Sequence, residues 1–209
     1  MLYARTVFSI EQIFDGMNMK DAAYLGTLQS YWKRHQTFPP MAKLCEVLGL
    51  SSTSSVFALI GRLTDAGYIK RHEGRIVPEK AFFARPVLGP VRAGLPQPAT
   101  QEEPELITLD DYLIDNPSRT SVHKVRGDSM KDAGIFDGDL VVVEHNSPTS
   151  AGDIVVAVVD GEFTVKTLRQ TGEGRHYLEA ANPAFEPIYP TSSLELLGVV
   201  ISVVRRVRR

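Results

Sequence analysis

Ser129 stands in the tetrapeptide Gly127-Asp128-Ser129-Met130, at the head of a turn-rich run, VRGDSMKDAGIFDGDLVVV, over residues 125–143. A hydroxyl is a poor nucleophile until a base takes its proton. Histidine is the usual base, and the chain has five. His35 and His72 fall in the N-terminal part, whereas His123, His145 and His176 lie in β-like segments without an evident acid relay. Lys166 is the better partner. It sits mid-strand in EFTVKTL, with Val165 and Leu168 nearby, where its side chain can point inward. Burial disfavours an ammonium and lowers a lysine pKa from about 10.4, by up to about 3–5 when burial is complete. A neutral amine within hydrogen-bond reach can deprotonate a serine. Thirty-seven residues separate the two, so spacing alone leaves a second reading open: a turn serine and an exposed strand lysine. No metal or cofactor is expected.

The segments around them read as strands. Beyond residue 105 the apolar runs are short and rich in valine: LVVVE, DIVVAVVD, FTVKTL, HYLEA and LLGVVISVVRR. Turn residues separate them, as in NSPTSAGD, DG and GEG. This is an all-β pattern. Asp160-Gly161, between VVAVV and EFTVKTL, is a strong hairpin signal. Residues 81–105 hold five prolines, end acidic and read as a linker and extended loop.

The N-terminal part reads as helical. KDAAYLGTLQSYWKRHQT places Leu25, Leu28, Tyr31 and Trp32 on one stripe. Phe38-Pro39-Pro40 stops that helix, and the second proline suits a new start. MAKLCEVL follows with Gly49 as its stop, and Ser51 to Thr53 offer a cap for the next helix. There Val56, Leu59, Ile60 and Leu63 form an apolar face, and Gly67 ends it. Two short β-like runs, 68–71 and 75–77, surround His72-Glu73-Gly74. Three helices and a hairpin make a winged helix-turn-helix, with LGLSS as its short connection. Residues 1–80 carry ten Lys/Arg against seven Asp/Glu, a net +3, and residues 81–209 carry thirteen against eighteen, a net −5. A mildly basic first part permits nucleic-acid contact.

Composition bounds the rest. The 209 residues suffice for two small domains, and 43% hydrophobic with 23% charged residues is globular. No run of eighteen apolar residues occurs, so no membrane span is expected. The acidic N-terminus lacks a long apolar core and does not read as a signal peptide. The single Cys45 excludes an internal disulfide, fits a reducing, cytoplasmic setting and reads as a buried small hydrophobe. Residues 1–19 read as an extension preceding the first needed helix.

GDSMKDAGIFDGDLVVV resembles the signature of LexA-type repressors and related self-cleaving regulators that use a Ser–Lys dyad. The lysine setting Thr164-Val165-Lys166-Thr167-Leu168, the loop Gly89-Pro90-Val91-Arg92-Ala93-Gly94-Leu95-Pro96, the segment ANPAFEPI (181–188) and the terminal LLGVVISVVRR are also similar to that family's. The resemblance covers roughly residues 20–209. It implies a two-domain chain: a mainly α winged helix-turn-helix at 20–80, a linker at 81–88, and a mainly β autopeptidase and dimerisation domain at 89–209. It implies Ser129 as nucleophile, Lys166 as general base and Ala93-Gly94 as the scissile bond. It further implies a homodimer on palindromic double-stranded operator DNA, repressing DNA-damage genes, associated with the bacterial nucleoid and cleaving itself when stimulated by a RecA filament on single-stranded DNA.

The expected DNA contacts are Ser52, Thr53, Ser54, Ser55, Phe57, Ala58, Arg62 and Arg75. Ser54, Ser55 and Phe57 depart from the best-known family pattern, which carries an asparagine here. A different operator therefore follows, and with it two alternatives: a paralogous regulator of a narrower operon, or a phage-type repressor. Phe57 can be read either as core or as a base contact.

Overall fold

The computed structural model describes residues 18–87 and 105–207. The chain divides into two compact units, residues 1–109 and 110–209.

In the first unit, helix α1 spans Met19–His35. Asn18 caps it by accepting the Asp21 N–H at 2.9 Å, and Ala22, Leu25 and Leu28 are buried. It ends where Gln36 turns left-handed, before the two prolines. Helix α2 (Met41–Leu48) begins directly after Pro40 and stops at Gly49, whose φ of 65° favours a residue without a β-carbon. Helix α3 (Thr53–Asp65) follows after the chain turns by 91°. Ser52 Oγ accepts from the Ser55 N–H at 3.2 Å, and Val56, Leu59, Ile60 and Leu63 face inward. Strands β1 (Ile69–His72) and β2 (Arg75–Pro78) form an antiparallel hairpin. The element order is the one read from the sequence. Cys45 is partly buried and packs against this core.

Residues 81–87, within the stretch expected as a linker, depart from that expectation. Lys80–Phe83 form a short helix, α4, and Phe82 is 1% exposed. Its ring meets Phe38 and Trp32 at centroid distances of 5.3 and 6.2 Å, both edge-on, and its carbonyl accepts from Gln29 Nε2 at 2.7 Å. Burying that ring outweighs the loop character that the later prolines lend to the stretch as a whole. Strand β3 (Arg85–Val87) then pairs antiparallel with β4 (Glu105–Ile107). Helix α5 spans Leu109–Leu113.

The second unit is built on one six-stranded antiparallel sheet: β5 (Thr120–Lys124), β6 (Leu140–His145), β7 (Ile154–Val159), β8 (Glu162–Gln170), β9 (His176–Glu179) and β10 (Leu194–Val204). Their order is β5-β6-β10-β7-β8-β9. The valine runs are continuous because both faces are covered. One apolar cluster holds Met130, Ile135, Val141, Val143 and Val156, and another holds Val155, Ala157, Leu168 and Leu178. Strand β5 was read only as a β-like segment around His123, without bounds. It is an edge strand whose one aliphatic side chain, Val122, is half exposed, so it lacks the apolar run that marks the others.

Two irregularities in β10, near Leu197 and Ile201, change its pairing. Gly198 sits between β6 and β7. A β-carbon there would collide with the Glu144 carbonyl oxygen and lie 2.8 Å from Val143 Cγ1. Gly198→Ala is therefore expected to destabilise this unit by about 1–3 kcal/mol. The check is its denaturation midpoint, and an unchanged midpoint would contradict the packing described.

The β7–β8 hairpin turns on Asp160 (φ 49°) and Gly161 (φ 92°), as read from the sequence. The Asp160 carboxylate also accepts from the N–H groups of Thr191, Ser192 and Ser193 and from two hydroxyls. These donors hold its pKa far below the usual carboxylate range. The hairpin that carries Lys166 is thus tied to the loop before β10. Among the described residues no single helix is long and apolar enough to cross a membrane.

Candidate active site

Ser129 lies in the turn after β5. Two backbone bonds fix the strand exit: Val125 N–H donates to the Asp139 carbonyl at 2.8 Å, and Gly138 N–H to the Val125 carbonyl at 3.0 Å. Gly127 then adopts a φ of 89°, a conformation other residues resist, and its N–H donates to Asp137 Oδ1 at 2.9 Å. On the far side of the serine, Met130 is buried in the apolar cluster, and its carbonyl accepts from the Ala133 and Ile135 N–H groups. The Ser-Met order thus has a physical sense: the thioether anchors the turn while the hydroxyl is left in the cleft.

A second loop braces the same turn. Asn182 Nδ2 donates to the Asp128 carbonyl at 3.1 Å, Asp132 N–H donates to the Ala181 carbonyl at 2.8 Å, and Asn182 is 3% exposed. Sequence reasoning quoted ANPAFEPI without giving Asn182 this task. Asn182→Ala leaves the Asp128 carbonyl without that donor and removes the acceptor of the Ala184 N–H. It is expected to cost about 1–3 kcal/mol of stability and to slow any reaction at Ser129. Chemical denaturation reads the first effect, and an unchanged midpoint would remove the brace from the description.

Lys166 comes from β8 and is 6% exposed. Its Nζ lies 2.8 Å from Ser129 Oγ, 3.0 Å from Thr164 Oγ1 and 3.0 Å from the Val165 carbonyl oxygen. Burial lowers the amine's pKa, with no carboxylate opposing it. The three neighbours suit a neutral amine. Its two N–H groups can be donated to Thr164 and Val165, which leaves the lone pair to accept the Ser129 hydroxyl proton. Thr164 was quoted in the sequence only as part of the lysine's setting, and its hydroxyl is an orienting group that a string of residues does not reveal.

The pair opens into a cleft of about 370 Å³, lined also by Val156 and by Phe163, which is 72% exposed. The Ser129 N–H has no acceptor among the described residues. His123 and His145 converge on Ser121 Oγ at 2.8 and 2.7 Å rather than on Ser129. Among the described residues no group of three or more His, Cys, Asp or Glu side chains is arranged to hold a metal ion. The arrangement can activate a hydroxyl for attack on a carbonyl carbon with an amine as the base. Ala93, Gly94 and residues 1–17 lie outside the described residues.

In the first unit, Thr53, Ser54, Ser55, Phe57 and Ala58 are exposed along the start of α3. Ser52 is half-buried and caps the helix. Phe57 is 51% exposed and not part of the core, and the Arg71 guanidinium lies 5.3 Å from its ring centroid. Arg62 is half-exposed, but its Nε and Nη2 grip the buried Asp21 carboxylate at 2.6 and 2.8 Å. That pair ties α3 to the start of α1 and holds the Asp21 carboxyl below its ordinary range. Arg75 is exposed at the hairpin turn, opposite His72.

Comparison with known proteins fits both units. Residues 86–201 match the Peptidase S24-like family. A LexA repressor of Caldicellulosiruptor saccharolyticus is 37% identical over 185 residues, covering 83% of this chain and 90% of the relative. One of Mycolicibacterium gilvum is 36% identical over 194 residues, with 81% and 82% covered, and one of Mycobacterium tuberculosis is 35% identical over 193 residues, with 81% and 80% covered. By identity at this level over most of its length, the chain belongs to the LexA repressor family.

Proposed function

We propose that the chain is a transcriptional repressor that cuts its own backbone between Ala93 and Gly94, with Ser129 as nucleophile and Lys166 as general base. The observation that carries this is the buried amine 2.8 Å from the serine oxygen. Ser129 Oγ attacks the Ala93 carbonyl carbon as its proton passes to Lys166 Nζ. The Ser129 N–H serves as a donor to the developing oxyanion. Collapse of the intermediate expels the Gly94 amine, which takes the proton from Lys166, and water then releases Ala93 from the serine. Because the substrate is part of the same chain, holding it in place supplies up to about 7–11 kcal/mol of the barrier. Regulation then lies in whether the cleavage loop is docked. A RecA filament on single-stranded DNA would stimulate cleavage by binding the docked form more tightly than the undocked one.

The first unit serves as a winged helix-turn-helix. The 91° turn between α2 and α3 is within the range for that motif. Helix α3 enters the major groove, with Ser54, Ser55, Phe57 and Ala58 toward base edges and Ser52, Thr53, Arg62 and Arg75 toward the backbone. Among the described residues, 200–204 of β10 pair with β6 on one side only, which leaves an edge for the same strand of a second copy. Two heads so joined read a palindromic operator of damage-response genes. The half-exposed Phe57 on α3 is available to meet a base edge, which favours an operator of this chain's own. Selecting bound sequences from a random duplex pool tests the DNA reading. A two-fold symmetric motif supports it, and a pool without enrichment overturns it.

A further inference from the structure

The loop of residues 134–139 touches the Ser129 turn on both sides. It holds Val125 and Gly127 before the serine, through the Asp139 carbonyl, the Gly138 N–H and the Asp137 carboxylate, and it holds Met130 after it through the Ile135 N–H. What holds that loop in turn is a residue sixty-six positions away from Asp139, just beyond β10. Arg205 donates from Nε to Asp139 Oδ1 at 2.7 Å and from Nη2 to Asp139 Oδ2 at 2.5 Å, and Nη2 also donates to the Gly134 carbonyl at 2.6 Å. Its guanidinium lies 4.3 Å from the Phe136 ring centroid. One planar cation thus grips both ends and the middle of the brace, and the Asp139 side chain it holds is 2% exposed. A fork of fixed geometry does this, and a point charge on a flexible stem does not.

We propose that Arg205 is a positioning residue for Ser129: by clamping the 134–139 loop it sets the place of the serine hydroxyl relative to Lys166. The proposal rests on the self-cleavage reading. Arg205 touches neither member of the pair, so it acts through backbone geometry alone. Misplacing a reacting group by about 1 Å costs up to about 100-fold in rate. The Lys166 contacts to Thr164 and Val165 do not involve the clamp, so the pH at which the amine loses its proton stays where it was.

The test compares full-length wild type, Arg205→Ala and Arg205→Lys by self-cleavage rate across alkaline pH, well below each protein's denaturation midpoint. Arg205→Ala is expected to lower the plateau rate by about 10- to 100-fold without moving the pH of half-maximal rate. Arg205→Lys keeps the charge but not the fork, and its plateau is expected to fall between those of Arg205→Ala and wild type. A merely structural arginine would lower the midpoint and leave the plateau of the folded protein unchanged, and that result overturns the proposal. If Arg205→Ala does not fold, a wild-type plateau in Arg205→Lys overturns it equally. A wild type that never cuts itself would instead remove the reading beneath.

Discussion

Lys166→Ala is expected to lower the self-cleavage rate at about pH 10 by about 10²- to 10⁴-fold, the contribution of a positioned general base. The serine stays where it is, because its turn is held by Met130, Asn182 and the 134–139 loop, not by the lysine. Only the proton acceptor is lost. The same substitution reports on stability with a defined sign. Burial lowers the Lys166 pKa in the folded chain below its unfolded value. Below the folded pKa, keeping the ammonium in place costs stability. As pH rises from there to the unfolded pKa, the unfolded chain binds the extra proton and stability increases. Removing the amine abolishes this dependence, so the denaturation midpoint of Lys166→Ala should rise less with alkaline pH than that of wild type. A variant that cuts at the wild-type rate would show that another group takes the proton.

Severing the chain after Ala93 is expected to weaken operator binding by about 10²- to 10⁴-fold, the advantage a tether gives to a second binding event. The isolated head, residues 1–93, retains α3 and the hairpin and so keeps every expected DNA contact. It loses β10, whose residues 200–204 pair on one side only among the described residues, the edge proposed to meet a second copy. Affinity measured at one fixed salt concentration for fragment and full-length chain checks this, since phosphate contacts make any comparison salt-dependent. Joining two heads through a fused dimeric coiled coil should restore most of the loss. A fragment that binds as tightly as the intact chain would show that the heads associate by themselves, and cutting would then not release the operator.

Much of the architecture was legible because its signals are local. The 3.6-residue spacing of Val56, Leu59, Ile60 and Leu63, the hydroxyl cap before them and Gly49 after α2 each act within one turn of helix. Asp160-Gly161 marked the hairpin that carries Lys166 because only a few residue types accept left-handed backbone in succession. What escaped was non-local or compositionally diluted. Strand β5 has too little apolar character for its bounds to be read. Phe82 belongs to the core because Phe38 and Trp32 happen to meet it, a fact absent from a stretch that reads as proline-rich linker. Arg62 was expected only as a DNA contact, yet Asp21, forty-one residues away, takes two of its nitrogens and leaves Nη1 for that role. The candidate site divides in the same way. Ser129 and Lys166 were singled out by their chemistry and given their roles by motif resemblance, whereas Asn182, Thr164 and Arg205 act through hydrogen bonds whose partners no spacing rule brings together.

Self-cleavage itself is the property on which all of this turns. Purified full-length chain and Ser129→Ala should be incubated side by side from about pH 7 to about pH 10.5 and weighed intact by mass spectrometry. Wild type should yield two pieces from its 209 residues, of 93 and 116, at a rate that climbs with pH and levels off once Lys166 is neutral, while Ser129→Ala stays whole. Wild type that remains whole throughout, a cut elsewhere than after Ala93, or an equal rate in Ser129→Ala would contradict the assignment of the pair.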